Sequence, residues 1–310
     1  MRCLSVVIPN KNGEELLRRF LPDNVTRIEK EAETLEIVVD FIVVDGGSTD
    51  KSELAVAEVN SGKCRFIVFN GQSGYGTQLN HGVGVSQADW VLVLTTDVAV
   101  SQVFLSPLIK AITEHEYIFS VSPKIIRPLE GGAIESLTRG RFRRHEIEII
   151  RQTNNVDVDS ENNVLWPCGA VFLAQRKIFL ELDGFSDEFL PGYSEDVDIG
   201  LRAWKSGFRC RYVPDSVAHH WHNSTFKKSG PKVVEFLLVR NHILLNLKHL
   251  PSPEKSFFLV KRLLRALRHR SLTELSGVVS GFIRYRKHRR ILNGESMTLS
   301  ELQRIMTYFN

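Results

Sequence analysis

The first half of the chain alternates short apolar runs with polar segments of helical length, and this alternation is the strongest constraint on the fold. The runs are continuously apolar, which is typical of strands that are buried on both faces of a sheet. They lie at 4–9, 41–45, 65–69, 90–97 and 117–123. Because segments of helical length separate the first four runs, the pattern predicts βαβ units and a mainly parallel α/β sheet.

The composition is that of an ordinary globular protein, with 43% hydrophobic and 25% charged residues in a chain of 310. It excludes disordered, collagen-like and disulfide-rich chains. The four cysteines lie far apart and indicate a reducing compartment. The first apolar run breaks at Pro9, too early for a secretory signal, and no apolar stretch reaches the ~18 residues of a membrane span. We therefore expect a cytoplasmic protein.

The charge is divided unevenly along the chain. Residues 231–310 carry 15 Lys and Arg against 5 acids, a net charge of +10, whereas residues 1–230 have a net charge of −6. The basic side chains of this C-terminal region either form a solvated helical face or contact an anionic membrane surface. The second alternative would place the protein peripherally at the inner face of the membrane. We expect no nucleic-acid partner, because few aromatic residues accompany the basic ones.

Polar residues that follow the predicted strands are the first candidates for a site, because open parallel sheets bind ligands beyond the carboxyl ends of their strands. Asp45 either caps the next turn or accepts hydrogen bonds from a nucleoside. The glycine-rich segment 71–82 either lets a ligand approach the backbone or forms a flexible turn. Asp97 either caps a turn or, facing a diphosphate, requires a divalent cation between the two.

Two later clusters could carry chemistry. Glu195, Asp196 and Asp198 lie together before a predicted helix, where the helix dipole favours acids. Crowded carboxylates also raise one another's pKa, so one of them could be a general base near neutral pH. His219, His220 and His222 follow a strand predicted at 209–214, and one of the three is a candidate metal ligand.

Taken in order, these segments resemble the family 2 glycosyltransferases, which have the GT-A fold. The matching stretches are VVIPNKNG (6–13), IVVDGGSTDKS (42–52), GYGTQLNHGV (74–83), ADWVLVLTTD (88–97), residues 168–208, YVPDSVAHHWHNS (212–224) and VRN (239–241). The later part is most similar to the bacterial branch containing dTDP-rhamnosyltransferases of cell-surface polysaccharide synthesis. The resemblance implies a Rossmann-like mixed, mainly parallel sheet flanked by helices, with a C-terminal helical extension.

The resemblance also implies a division of the chain. Residues 1–98 would form the nucleotide-sugar-binding half of the GT-A domain, and residues 99–228 its acceptor-binding and catalytic half. Residues 229–310 would form a basic helical region. The implied reaction is an inverting hexosyl transfer from dTDP-rhamnose or a UDP-sugar to a saccharide or lipid-linked acceptor. An oligomer is compatible with this assignment.

Site residues carry over from the family's motifs by position. Nucleotide contacts would come from Pro9, Asn12, Asp45, Gly74, Gly76, Thr96 and Asp97. The ion, Mg²⁺ or Mn²⁺, would be held by Asp97 and His219. Asp196 would be the general base and Glu195 its catalytic neighbour, which also helps to hold the acceptor together with Trp166 and Tyr193.

The chain departs from the family's pattern in three places. Thr95 stands where Asp or Asn is common, which removes a metal or ribose contact, and Gly46 replaces a common Asn or Asp. The absence of a Q-x-x-R-W motif argues against a processive enzyme. Two alternatives remain beside an active transferase: an inactive GT-A domain that acts as a binding or assembly module, which Thr95 favours, and a sugar nucleotidyltransferase. The segment PNKNGEE disfavours the second, because that class needs a glycine-rich basic signature after its first strand.

Overall fold

A computed structural model describes residues 2–59, 62, 64–150, 157–221, 230–292 and 296–309, without the side chains of 289–292. Its parallel half consists of β1 (Arg2–Asn10), β2 (Ile37–Asp45), β3 (Cys64–Val68) and β4 (Trp90–Leu94). The connecting helices are α1 (Glu14–Thr34), α2 (Ser52–Ala57) and α3 (Tyr75–Val85). Strands β1, β2 and β4 bury Val, Ile and Leu on both faces, which is why their sequences are continuously apolar. Burial on both faces was also expected of β3, but this edge strand has no fully buried residue.

The second half of the sheet is mixed. Its elements are β5 (Val98–Val100), α4 (Leu105–Thr113), β6 (Ile118–Arg127), β7 (Ala133–Ile134), β8 (Arg139–Arg143), β9 (Glu146–Ile150), β10 (Asn162–Val164), β11 (Val171–Gln175), α5 (Arg176–Glu181), α6 (Glu195–Lys205) and β12 (Arg209–His220). The main strand order is β10-β12-β6-β11-β4-β1-β2-β3, and β8 pairs with β9 in a separate hairpin. Strand β11 runs antiparallel to both β4 and β6. The predicted mainly parallel α/β sheet is confirmed.

The carboxyl end of β1 marks where a ligand is expected. Strand β1 lies between β2 and β4 and runs parallel to both. From β1 the chain continues to β2 on one side, whereas β4 lies on the other side of β1. The connections after these strands therefore diverge at the carboxyl end of β1 and leave a crevice there. Asn10 and Asp45 are register partners there, and Thr95 to Asp97 follow β4 directly.

The C-terminal region is helical, as predicted. It contains α7 (Pro231–His249), α8 (Ser252–Arg268), α9 (Leu272–Leu292) and α10 (Leu299–Met306). Helices α7 and α9 can pack closely because Gly281 has no side chain. A Cβ atom there would lie only 2.7 Å from the carbonyl oxygen of Arg240. Within the part of the chain that the structure describes, no helix is both long and apolar enough to cross a membrane.

The region 124–164 contains the short strands β7 to β10. Residues 151–156, between β9 and β10, lie outside the described residues. The division at residues 98 and 228 stays a prediction.

Glu146 attaches the β8–β9 hairpin to the C-terminal helices. Its Oε1 lies 2.7 Å from Nε2 of His242, and its carboxylate also forms ion pairs with Lys261 and Arg262. Burial opposes the charged form, but the hydrogen bonds from His242 and Lys261 lower the pKa of Glu146 to about 2. A carboxyl whose pKa is lowered on folding stabilises the protein above its ordinary pKa. That contribution disappears as the pH falls through the folded value.

We expect Glu146→Gln to lower the free energy of unfolding by about 1–2 kcal/mol near neutral pH, because solvent screens part of the pKa difference. The deficit should shrink as the pH falls from 4.5 towards 2. Urea denaturation at several pH values measures both effects. Glu148→Gln is the matched control, since the ion pair of Glu148 with Arg141 is partly exposed and should contribute below about 1 kcal/mol. Equal, pH-independent losses in both variants would contradict this role for Glu146.

Candidate active site

Asp45 organises the turn that follows β2. Its carboxylate accepts hydrogen bonds from the backbone N–H of Gly47 at 3.0 Å and of Ser48 at 2.8 Å. It also accepts from Asn10 Nδ2 at 2.7 Å and from the Ser48 hydroxyl. Asp45 is buried, and these four donors all belong to the protein. The geometry therefore favours the turn-capping interpretation, and a contact between Asp45 and a nucleoside stays a prediction.

Asn12 joins the loops that follow β1 and β2. It has a left-handed backbone with φ of 52°, and its Oδ1 accepts from the Thr49 N–H at 2.7 Å. Thr96 lies close by, since a Cβ atom on Gly13 would lie 3.6 Å from its Cγ2. Pro9 is half-buried next to this loop. The structure thus gathers Pro9, Asn12 and Thr96 at one edge of the sheet.

Gly74 and Gly76 lie where the α3 segment packs closely against the loop that precedes α6. A Cβ atom on Gly74 would lie 2.3 Å from Leu190 Cδ2, and one on Gly76 would lie 2.9 Å from Phe185 Cβ. The space that a side chain would need is filled by that loop. Both glycines are half-buried, and their contact with a nucleotide stays a prediction.

Gly46 also has a packing role. A Cβ atom there would lie 2.0 Å from Nε2 of Gln78 and 2.1 Å from Oγ of Ser73. Gln78 is buried and donates to Ser73 at 2.8 Å. The polar side chains of the α3 segment thus occupy the place that a larger residue at position 46 would take, and the sequence pattern gave no signal of this.

His220 contacts Asp97. Its Nε2 lies 3.3 Å from Asp97 Oδ1, and its Nδ1 lies 2.7 Å from Glu135 Oε1. Burial would lower the pKa of His220, but the hydrogen bonds to Asp97 and Glu135 raise it to about 9. Burial likewise opposes the charge of Asp97, yet the hydrogen bond and charge of His220 lower its pKa. Glu135, which sequence reasoning missed, orients the imidazole.

His219 is therefore not the histidine that faces Asp97, which corrects the choice made from the motif. Successive side chains of a strand point to opposite faces, and His219 and His220 are consecutive in β12. His222 lies outside the described residues.

The donor set at Asp97 suits a divalent cation that is shared with a substrate. Among the side chains that the structure describes, no group of three or more His, Cys, Asp and Glu residues is arranged to hold a metal ion. Asp97 supplies one donor, and His220 would supply a second once an ion displaces the proton on its Nε2. Glu135 would then hold the ring from the other nitrogen, as carboxylates commonly do for ligating histidines. Diphosphate oxygens commonly complete the coordination of Mg²⁺. The residues fit such an ion in the presence of a nucleoside diphosphate.

The loop before α6 presents Glu195 and Asp196. Tyr193 and Ser194 both have left-handed backbones, with φ of 77° and 71°, and this sharp turn begins the helix. Asn241 of α7 fixes the turn, because its Nδ2 donates to the carbonyl oxygens of Gly192 at 2.7 Å and Tyr193 at 2.8 Å. Glu195 and Asp196, which we call the acidic pair, are therefore held in place by α7, a helix that is distant in the sequence.

The two acids of the pair have different environments. Burial, followed by the charge of Asp196, raises the pKa of Glu195 to about 8, so Glu195 is mostly protonated near neutral pH. Its Oε2 has no hydrogen-bond partner within the described structure. Asp196 is only half-buried, and its Oδ1 accepts from the Val197 N–H at 2.9 Å.

Asp198, the third acid, belongs to a buried ion cluster. Lys248 Nζ and His249 Nε2 both lie 2.8 Å from its Oδ1, and Arg202 lies 2.9 Å from its Oδ2. Burial would raise the pKa of Asp198, but the charges of Lys248 and Arg202 and the hydrogen bond to His249 hold it well below its ordinary value. Asp198 thus has a structural role.

Trp166 is buried in the core beneath α6, so it cannot contact an acceptor as predicted. A Cβ atom on Gly200 of α6 would lie 2.5 Å from Trp166 Cβ, which shows how closely the helix packs on it. Its carbonyl oxygen accepts from the Thr138 hydroxyl at 2.6 Å. Tyr193 is half-buried on the acidic loop and stays a predicted acceptor contact.

Asp97 and Asp196 are connected through the start of β11. The Thr95 N–H donates to the carbonyl oxygen of Ala170 at 3.0 Å. At the adjacent Gly169, a Cβ atom would lie 3.5 Å from Asp196 Oδ2, so no side chain separates this backbone from the carboxylate. One short backbone segment therefore touches both the end of β4 and the acidic pair, which brings the two carboxylates to the same edge of the sheet.

The family model described as glycosyl transferase family 2 matches residues 5–179. The chain belongs to this family. A curated relative from Mycobacterium tuberculosis, N-acetylglucosaminyl-diphospho-decaprenol L-rhamnosyltransferase, is 27% identical over 213 residues, which are 60% of this chain and 68% of the relative. The predicted family membership and enzyme class are confirmed: the protein is a glycosyltransferase.

Solved structures show the fold of this family 2 glycosyltransferase to be GT-A. GalNAc-T7 with UDP, GalNAc and Mn²⁺ superposes with a TM-score of 0.64 at 16% identity, over 93% of this chain and 55% of that chain. The mannosyltransferase PcManGT from Pyrobaculum calidifontis, in complex with GDP-Man and Mn²⁺, gives 0.54 at 16% over 98% and 78%. S. aureus TarS 1–349 with UDP-GlcNAc gives 0.55 at 14% over 93% and 92%.

Replacing Asp198 and Asp196 one at a time should show which of the two acids stabilises the fold of this glycosyltransferase. We expect Asp198→Asn to lower the free energy of unfolding by about 3–5 kcal/mol, because the buried charges of Lys248 and Arg202 lose their partner. Asp196→Asn, two residues away and half-buried, should change it by less than about 1 kcal/mol. Chemical denaturation of both variants measures the difference. Similar stabilities would remove Asp198 from its structural role.

Proposed function

We propose that this glycosyltransferase moves a hexosyl group, with inversion at the anomeric carbon, from a nucleoside diphosphate sugar to a hydroxyl of a saccharide or lipid-linked acceptor. The observation that carries the proposal is the approach of Asp97 and Asp196 to one edge of the sheet, through Gly169 and Ala170. A transferase needs a group that stabilises the leaving diphosphate and a base for the attacking hydroxyl. Asp97, through a divalent cation, is suited to the first task, and Asp196 is suited to the second.

Asp196 is proposed as the general base. It takes the proton of the acceptor hydroxyl while that oxygen bonds to the anomeric carbon, and the bond from this carbon to the diphosphate breaks. Glu195, whose pKa of about 8 keeps it mostly protonated, would donate a hydrogen bond to the acceptor rather than compete for the proton. Tyr193 on the same loop would contact the acceptor.

Asp97 and His220 are proposed to hold the divalent cation together with the diphosphate. Mg²⁺ or Mn²⁺, when bound, would neutralise negative charge on the departing nucleoside diphosphate. The GalNAc-T7 and PcManGT structures both contain Mn²⁺, which supports a divalent ion without fixing which one acts here. Pro9, Asn12, Asp45 and Thr96 would contact the nucleoside, as expected from their motif positions.

The donor is proposed to be dTDP-rhamnose or a UDP-sugar, and the acceptor a lipid-linked saccharide of cell-surface polysaccharide synthesis. The support is the mycobacterial relative, whose name specifies an L-rhamnosyl transfer to N-acetylglucosaminyl-diphospho-decaprenol. Release of nucleoside diphosphate from a panel of dTDP-, UDP- and GDP-sugars, with and without Mg²⁺ or Mn²⁺, tests the donor. Release that is equal for all donors, or absent for all, would contradict the proposal.

We expect Asp196→Asn to lower kcat by about 10²–10⁴, the usual contribution of a general base, while donor affinity stays within about twofold. Product release and calorimetric titration of the donor measure the two quantities. The control is Asp187→Asn, on the same loop but outside the acidic pair. Turnover equal to that of the native protein would exclude Asp196 as the base.

Mutating the two neighbouring histidines tests the ligand assignment. His220→Ala should reduce the gain in nucleoside diphosphate affinity that Mn²⁺ provides by about 10- to 100-fold, whereas His219→Ala should leave it nearly unchanged. Calorimetry of UDP and dTDP binding with and without Mn²⁺ gives this gain for each variant. A loss confined to His219→Ala would return the ligand role to that residue.

A further inference from the structure

Helix α8 turns an apolar stripe towards solvent. Phe257, Val260, Leu264 and Leu267 recur at helical spacing, and each exposes between 56 and 62% of its surface. The opposite side of the helix is the packed one, where Phe258, Arg262 and Ala266 are buried. A helix at the surface of a globular domain normally directs its apolar stripe inward. In α8 Phe258, Leu259 and Leu263 pack inward as expected, but a second apolar stripe faces solvent.

Helix α9 carries an exposed apolar area of its own. Leu272 is 81% exposed, and Val279 and Ile283 follow at helical spacing with large exposed surfaces. These side chains, with Phe236 of α7, line a groove of about 760 Å³ between α7 and α9. Large exposed apolar areas of this kind mark interaction sites.

Helices α8 and α9 lie side by side and antiparallel. Near one end, Glu274 of α9 lies 3.1 Å from Arg262 of α8. Near the other end, Lys255 Nζ of α8 lies 3.3 Å from the hydroxyl of Tyr285 in α9. Both contacts lie on the packed side of α8, so its apolar stripe faces away from α9. We call this outward side of α8, with the basic residues that flank it, the α8 surface.

The charges of α8 and α9 that reach solvent have one sign. Between residues 252 and 288, every exposed Asp, Glu, Lys or Arg side chain is basic: Arg265, Arg268, Arg270, Arg286 and Lys287. The two acids of this range, Glu254 and Glu274, form ion pairs with His145 and Arg262. A partner that fits must therefore offer both an apolar interior and negative charge.

We propose that the α8 surface docks on a lipid bilayer that contains anionic headgroups. The apolar side chains would enter the interface between headgroups and acyl chains, and the flanking Arg side chains would pair with the headgroups. A second copy of the chain fits less well, because pairing this surface with itself would bring Arg265 and Arg268 of the two copies together. An anionic bilayer instead neutralises them.

Helix α9, which packs against α8, also contacts the segment before the acidic pair. Arg284 of α9 donates to the carbonyl oxygen of Asp187 at 3.2 Å, and His288 pairs with Glu188 at 3.7 Å. These two acids lie in the segment that leads to Glu195 and Asp196 at the start of α6. On the proposed function, docking would bring the protein to a membrane that holds a lipid-linked acceptor. The α8 surface itself depends on exposure and charge and not on the reaction.

Vesicle binding by the full chain tests the proposal without nucleotide sugar or acceptor, so its result is independent of the reaction. The protein is sedimented with vesicles of phosphatidylcholine alone and of phosphatidylcholine mixed with phosphatidylglycerol. We expect binding to the mixed vesicles only, weakened by salt. Val260→Asp and Leu264→Asp should each reduce the partition coefficient at least about tenfold. Val103→Asp is the matched control, since Val103 is 59% exposed on the loop before α4 and should leave binding unchanged.

Three results would overturn the proposal. One is a lack of binding to the mixed vesicles by the native protein. Another is equal loss of binding in Val103→Asp and Val260→Asp, with circular dichroism showing all variants folded. The third is self-association in analytical ultracentrifugation that Leu264→Asp abolishes while vesicle binding persists, which would assign the surface to contact between copies.

Discussion

The active-site loop depends on one buried carboxylate, that of Asp198. Its oxygens lie within 2.9 Å of charged atoms from Lys248 and Arg202 and of the His249 ring. Arg202 also donates to the carbonyl oxygen of Gly184 at 2.6 Å, and Lys248 to the hydroxyl of Ser186 at 2.7 Å. The cluster therefore joins the start of α6, the end of α7 and the segment before the acidic loop. Since an unpaired buried charge is costly, the three parts are held in one arrangement.

This arrangement gives three neighbouring acids three different properties. Glu195 is buried next to a like charge, so its pKa rises to about 8. Asp198 is equally buried but surrounded by cations, so its pKa falls. Asp196 points away from that cluster and keeps contact with solvent. One helix start thus supplies a proton donor, an accessible carboxylate and an anchor, and the separation follows from which side of the helix each residue occupies.

The strands could be predicted from the sequence because burial on both faces imposes a continuous apolar run, as in β1, β2 and β4. The choice between His219 and His220 could not be predicted. It depends on which residues of β12 point to the Asp97 side of the sheet, and β12 extends to residue 220. Trp166, Gly74 and Gly76 were assigned from motif position, yet their surroundings come from α6 and its preceding loop. Asn241 and Lys248 were visible only as polar interruptions in an apolar segment. Their partners lie about 50 residues away, at Gly192 and Asp198.

The outward apolar stripe of α8 shows the limit of periodicity as evidence. The spacing of Val260, Leu264 and Leu267 predicts a helix with an apolar face, but it does not say what covers that face. Arg262 of the same helix is held inward by Glu146 and Glu274, at 3.7 and 3.1 Å. Two acids on neighbouring elements thus fix the rotation of the helix and leave the apolar stripe outside. An outward apolar stripe is unfavourable in water, so this rotation makes physical sense if a partner other than water covers it.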